Sequence, residues 1–219
     1  MEWVPFLGQL SSIIWQRTKR VNNMKLILES LYITLAPVIF AGILNMVWVR
    51  LPLGQGLNVP MDNGRVLKDG RRLFGDHKTW KGFWGMIGIG AVTGILWGIF
   101  LKGRDMEALN LFYKGHANTM LWSGLTGALA GFAYALAELP NSFLKRRLDI
   151  RPGKNPTGVR KLFFIFLDQA DSVIGCLILL RLVYPYDLEF FLVGVGFGAV
   201  THILLNMLLY VLKLRKNLF

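Results

Sequence analysis

Five runs, each close to the ~20 mostly apolar residues needed to cross a hydrocarbon core, leave this chain few ways to fold. They cover Leu26–Val49, Gly82–Leu101, Thr119–Ala137, Lys161–Tyr184 and Leu188–Leu212. With 53% hydrophobic residues, 17% charged residues and a mean hydropathy of +0.44, no soluble domain of any size remains outside them. The expected architecture is all-α: a polytopic integral-membrane bundle of about five transmembrane helices with two basic cytoplasmic loops. Residues 26–219 read as one membrane-embedded domain, and residues 1–25 as an N-terminal extension or interfacial helix. The leading stretch WVPFLGQLSSIIWQRTKR is short for a span and lacks the small-residue cleavage site of a signal peptide. The second and third runs contain GMIGIGAVTGILWG and SGLTGALAGFAYALA, whose small residues let helix backbones approach closely.

Net charge is +12, and the distribution of the 25 Lys and Arg orients the spans. Seven lie between Arg50 and Lys81, seven between Lys145 and Lys161 and three after Leu212, against eight on the opposite side. Basic flanks stay in the cytoplasm, so the protein is expected in the cell membrane with its functional face on the cytoplasmic side. Such loops suit anionic headgroups or nucleotides. Nucleic acid is not expected as a partner, because no soluble face would present it; a homo-oligomer is left open. The single cysteine, Cys176, excludes an intramolecular disulfide and a cysteine metal cluster.

Asp168 and Asp171 stand inside the fourth run, in KLFFIFLDQADSVIGCLILLRLVY. Carboxylates in a membrane helix persist where something stabilises their charge. Three positions apart, both face the same way and can grip one cation. Counted from Lys161 they lie about 10 and 15 Å along the helix axis, reachable from the cytoplasm only through a polar cleft. Hard oxygen ligands suit Mg²⁺, which typically takes one or two carboxylates plus substrate phosphates. The alternative is an interhelical hydrogen-bonding pair with His202 or Asn206 of the last span.

Next to these acids, Lys145, Arg146, Arg147, Arg151 and Lys154 can hold a polyphosphate. Pro140 is expected to end the third helix, with Asn141 or Ser142 capping a new basic element whose amides would face an anion. The loop after it, through Pro152, Gly153, Lys154, Asn155 and Pro156, is expected to move. In the first loop, glycines alternate with Asp62, Arg65, Lys68, Asp69, Arg71, Arg72, Asp76, Lys78 and Lys81, a pattern that suits phosphate and equally a solvated positive-inside loop. Metal-assisted phosphate chemistry at the membrane surface accounts for both loops and the acids. An anchor for anionic lipids needs only the cations; an ion-coupled transporter would use the aspartates but should show a matching acid in a second half.

Two strings carry a resemblance. PMDNGRVLKDGRRLF followed by GDHKTWKGFWG, and ELPNSFLKRRLDIRPG followed by FLDQADSVIG, resemble the paired signature of the CDP-archaeol synthase family, relatives of the CDP-diacylglycerol synthases. The likeness runs from about Pro60 to Gly175, with His202 and Asn206 matching in the last span. Where archaeal members carry Gly-Asp, this chain has Ala137-Glu138. The resemblance implies cytidylyl transfer: CTP and a lipid phosphate, 2,3-bis-O-geranylgeranyl-sn-glycerol 1-phosphate or a similar one, give a CDP-lipid and pyrophosphate, with Mg²⁺ as cofactor. A relative acting on phosphatidate is the alternative. It further implies Glu138, Asp168 and Asp171 as metal ligands, Lys145 and Arg146 as catalytic phosphate holders, and Asp76, Lys78, Lys81 and Ser142 around the substrates. His77 is read as a local packing residue, and Trp80 as an interfacial anchor or a platform for cytosine.

Overall fold

The computed structural model describes residues 3–151, 158–211 and 213, without the side chains of 3–18, 20 and 159. The expected mobile loop from Pro152 to Pro156 and the basic tail at Arg215 and Lys216 lie outside the described residues. The described chain forms five long helices: α1 (Trp3–Trp48), α2 (Trp80–Leu101), α3 (Met120–Arg147), α4 (Val159–Val183) and α5 (Leu188–Val211). Each contains a stretch long and apolar enough to cross a membrane, starting in α1 at Val21. Short 3₁₀ turns at Gln55–Leu57, Asp105–Leu109 and Leu111–Tyr113 sit in the connections. Exposure supports the membrane setting. Leu121 is 82% and Leu182 81% exposed, and Leu162, Phe163, Phe166 and Ile178 also point outward, a surface water would not tolerate.

Two helix boundaries differ from the sequence reading. The α1 helix runs without a break through Lys25, because no glycine or proline interrupts the chain from Gln9 to Ala36. Likewise α3 continues through Pro140 to Arg147, so Asn141 and Ser142 lie inside a helix and cap nothing. A proline removes one N–H and leaves the carbonyl four residues earlier unpaired; membrane helices accommodate such a defect without ending. This continuity matters for the site. Glu138, Asn141 and Lys145, at spacings of three and four, then share one face of a single rigid element.

The α2 and α3 helices are joined along a glycine seam. A Cβ on Gly90 would fall 2.5 Å from the Gly127 carbonyl oxygen, and one on Gly94 3.0 Å from the Gly127 Cα. Only bare backbone fits there, as the small-residue pattern predicted. Threonine caps start both helices: Thr79 Oγ1 accepts from Gly82 N at 3.2 Å and Thr119 Oγ1 from Trp122 N at 3.1 Å. The apolar core gathers Leu31, Leu35 and Ala41 of α1, Met86 of α2, Ala130 of α3 and Leu177 of α4. Helix α4 packs against the other side of α3, where Gly175 lets the Ala137 methyl approach so closely that a Cβ would lie 2.5 Å away. One turn from this close crossing the polar residues begin.

Candidate active site

The two acids of α4 face α3, not the acyl chains. Asp171 is 8% exposed. The Asn141 amide nitrogen donates to Asp168 Oδ1 and to Asp171 Oδ2, each at 2.7 Å. Lys145 Nζ lies 2.5 Å from Asp168 Oδ1 and donates to its Oδ2 at 2.6 Å. Ser172 Oγ donates to Asp171 Oδ1 at 3.0 Å and reaches Glu138 Oε1 at 3.4 Å. Lys78, from the first loop, forms an ion pair with Glu138. Sequence-distant residues of the first loop, α3 and α4 thus meet in one polar cluster at the end of the bundle that carries both basic loops. Of the two last-span residues weighed as partners of the acids, Asn206 donates through Nδ2 to Gln169 Oε1 at 2.7 Å instead.

Several expected residues have other tasks. Lys81 is fully buried, and its ammonium donates to the Leu51 and Val49 carbonyls at 2.6 and 3.3 Å while lying 5.2 Å from the Trp48 ring. It ties off the end of α1 and is not brought to the acid cluster. Asp76 is exposed and paired with Arg72 at 2.9 Å. Ser142 is half-buried on α3. Trp80 packs edge-on against Phe83, with centroids 5.8 Å apart. Arg146 is buried, and its Nε and Nη1 have no hydrogen-bond partner among the described residues. A desolvated guanidinium with free N–H groups is strongly disposed toward an anion.

What sequence reading missed is how the first loop is held. The buried carboxylate of Asp62 accepts from the backbone of Gly64, Phe74 and Gly75 at 3.1, 3.0 and 2.9 Å and from Arg72 Nη2 at 2.5 Å. Burial alone would raise its pKa, but the Arg72 and backbone hydrogen bonds outweigh it and hold the carboxyl well below the usual range. The available signal was Asp-Asn-Gly: Asn63 and Gly64 adopt left-handed φ of 47° and 77°, and Asp62 closes the turn. The folded loop then latches to α3. Arg147 pairs with Asp69 at 2.5 Å and donates to the Arg72 carbonyl, while Arg71 donates to the Arg147 carbonyl.

Two hollows flank α3 at the level of the acids. A cavity of about 430 Å³ with a mixed lining is bordered by Asn45, His77, Lys78, Thr79 and Glu138 and by apolar residues such as Met61 and Phe83. On the other side, an apolar groove of about 590 Å³ runs between α3 and α4, from Asn141 and Asp171 past Leu136 and Ile178 to Leu182. Its apolar walls and single polar end suit an amphiphile.

The CarS-like CDP-archaeol synthase family model matches residues 23–219. The chain belongs to the CDP-archaeol synthase family. Its membership makes it a membrane-embedded cytidylyltransferase, consistent with the paired signature in the sequence. The CDP-archaeol synthase of Thermofilum pendens is 32% identical over 195 residues, 89% of this chain and 78% of that one. The Methanocaldococcus jannaschii enzyme of that name is 31% identical over 161 residues, 73% and 83% of the two chains. With the Pyrococcus furiosus relative the alignment is shorter, 35% identity over 52% of this chain and 60% of that one. A solved structure described as an intramembrane enzyme for archaeal membrane lipid biosynthesis shares the fold: TM-score 0.56 at 24% identity, covering 80% of this chain and 92% of that one.

Within this CDP-archaeol synthase family member, the donor set can be tested against the Mg²⁺ expected from the sequence. Among the described residues no three His, Cys, Asp or Glu side chains converge on one point. Two carboxylates do, at the Asn141 nitrogen. Mg²⁺ commonly binds through one or two carboxylates and completes its shell with water and substrate phosphate, so Asp168 and Asp171 fit it. Glu138, turned toward Lys78, stands beside that point rather than at it.

Proposed function

We propose that the protein transfers the cytidylyl group of CTP to an archaeol-type lipid phosphate on the cytoplasmic side of the cell membrane. The lipid phosphate oxygen forms a new bond to the α-phosphorus. The bond from that phosphorus to the bridging oxygen of the β-phosphate breaks, and pyrophosphate leaves with the electron pair. No proton transfer and no covalent enzyme intermediate are needed, because the attacking phosphate is already anionic. The problem for the protein is to bring two polyanions together, which is a matter of placed charge.

The observation that supports this reading best is the convergence of Asp168 and Asp171 at the polar head of an otherwise apolar groove. Isoprenoid chains lie along Leu136, Ile178 and Leu182, which sets the lipid phosphate beside the acids. The nucleotide comes from the cavity on the other side of Glu138, past His77 and Lys78. Lys145 holds phosphate from α3, Arg146 offers its unpartnered N–H groups, and Lys78 can exchange Glu138 for a phosphate oxygen. Ser142 and Asp76 border the approach. Asp168 and Asp171 would hold Mg²⁺, which when bound supplies charge screening between the substrates and stabilises the departing pyrophosphate.

Purified protein incubated with Mg²⁺, CTP and either the geranylgeranyl ether phosphate or phosphatidate tests the proposal through pyrophosphate and CDP-lipid formation. Both products are expected with the ether lipid. Products with phosphatidate alone would move the assignment to a diacylglycerol-type substrate, and no products with either would reject it.

A further inference from the structure

We infer that Asn141 is a third ligand-bearing residue of the divalent site, whose side-chain amide switches between donating to the two aspartates and offering its own oxygen to the ion. This rests on the reading of Asp168 and Asp171 as the metal-binding pair and extends it to a residue that the sequence suggested only as a helix cap.

Four observations carry the inference. Asn141 is 7% exposed, so its amide has no solvent alternative. Its nitrogen stands 2.7 Å from an oxygen of each aspartate, at the one point where the two carboxylates converge. Its Oδ1 is buried without a hydrogen-bond partner among the described residues. Each acid has a further partner, Asp168 in Lys145, whose ammonium reaches both of its oxygens, and Asp171 in Ser172 at the oxygen turned from the amide, so the convergence does not depend on the amide alone.

An orphaned carbonyl oxygen beside two carboxylates is a costly arrangement for a residue with a purely structural task. A half-turn of the terminal torsion exchanges oxygen and nitrogen with almost no change of shape. In the orientation described, the NH₂ group partly offsets the repulsion between the acids and keeps them aimed at one point. In the rotated orientation, Oδ1 takes the place of the nitrogen and completes a set of three hard oxygens, suited to Mg²⁺ or Mn²⁺. The NH₂ group then faces away from the cation, as a donor must. Glu138 remains the partner of Lys78, which explains how this chain manages with a longer acid at that position.

Mn²⁺ binding to the full-length, metal-stripped protein in detergent, followed by the loss of free-ion electron paramagnetic resonance signal, reads this directly without turnover. Asn141→Leu removes both donor and acceptor and is expected to weaken Mn²⁺ binding at least about tenfold, the scale seen when a metal site loses a supporting group. Asn141→Asp keeps an oxygen and loses the donor; it should bind Mn²⁺ within a few-fold of wild type while unfolding at lower temperature in the absence of metal. Wild-type affinity in Asn141→Leu, or equal losses in both variants, would overturn the switch. Asp168→Asn in the same titration separates the two levels: if it too binds as wild type, the metal assignment itself is wrong, whereas lost binding there with none lost in Asn141→Leu condemns only the role of Asn141.

Discussion

Helix α3 presents two faces built on opposite principles. Toward α2 it is bare: Gly127 and Gly131 meet Gly90, Gly94 and the Met86 backbone, leaving no room for a side chain. Toward α4 it is close at Gly175 and then opens into Asn141, Lys145, Asp168 and Asp171, where hydrogen bonds join the two helices. The first seam supplies rigidity, since backbone against backbone cannot slide without a clash. The second places charges, which need a fixed frame behind them to be aimed. A membrane enzyme that brings two polyanions together requires both, and one helix carries them back to back.

That contrast can be broken from either side. The largest effect belongs to the polar seam. Asp168→Asn and Asp171→Asn should each lower turnover about 10³-fold, or ~4 kcal/mol of transition-state stabilisation, while the unfolding temperature stays near that of wild type. Retained turnover in both would put the chemistry elsewhere. On the glycine seam the pattern should invert: Gly94→Val forces α2 from α3 and is expected to cost about 3 kcal/mol of stability. Its activity should fall at least in step with the folded fraction, because the displaced frame no longer aims the charges, so wild-type stability together with wild-type turnover would contradict the division of labour.

The first loop sharpens the comparison because it touches α3 at its end. Asp62→Asn leaves three backbone donors and Arg72 without a charged acceptor, at a cost of about 2 kcal/mol. Because the folded carboxyl ionises below its ordinary value of about 3.9, the contribution of Asp62 is fully present above that pH. It fades only as pH drops through the lowered folded value, and the asparagine variant should lack this acid-side dependence. Denaturation profiles that fall in parallel below pH 4 would remove Asp62 from the account. The smallest effect is expected from Arg147→Ala, which releases a half-exposed pair with Asp69. It should raise KM for CTP a few-fold with kcat almost unchanged.

The spans, the seam and the shared face of the two aspartates were all legible in the sequence, because each depends on periodicity, residue size or length within one element. The unbroken α3 was not. Pro140 reads as a stop, yet α3 continues through it, as membrane helices allow where neighbouring groups take up the freed carbonyl. Nor was the task of Lys81, whose ammonium satisfies carbonyls just past the end of α1, 30 and 32 residues away. Its charge read as one more cation for phosphate, since partner choice in a loop is set by tertiary contacts. Asn141 was visible only as a helix cap; its place between two carboxylates appears once α3 and α4 are laid together.

The central claim is that the α3–α4 seam holds a divalent ion at Asp168 and Asp171, and iron-directed cleavage tests it most directly. With Fe²⁺, ascorbate and peroxide, radicals formed at the ion cut nearby backbone, and mass spectrometry locates the cuts. Cleavage around Asn141 and between Asp168 and Ser172, suppressed by excess Mg²⁺, is the expected result. Cuts confined to other segments, or cuts in the seam that Mg²⁺ does not suppress, would contradict it.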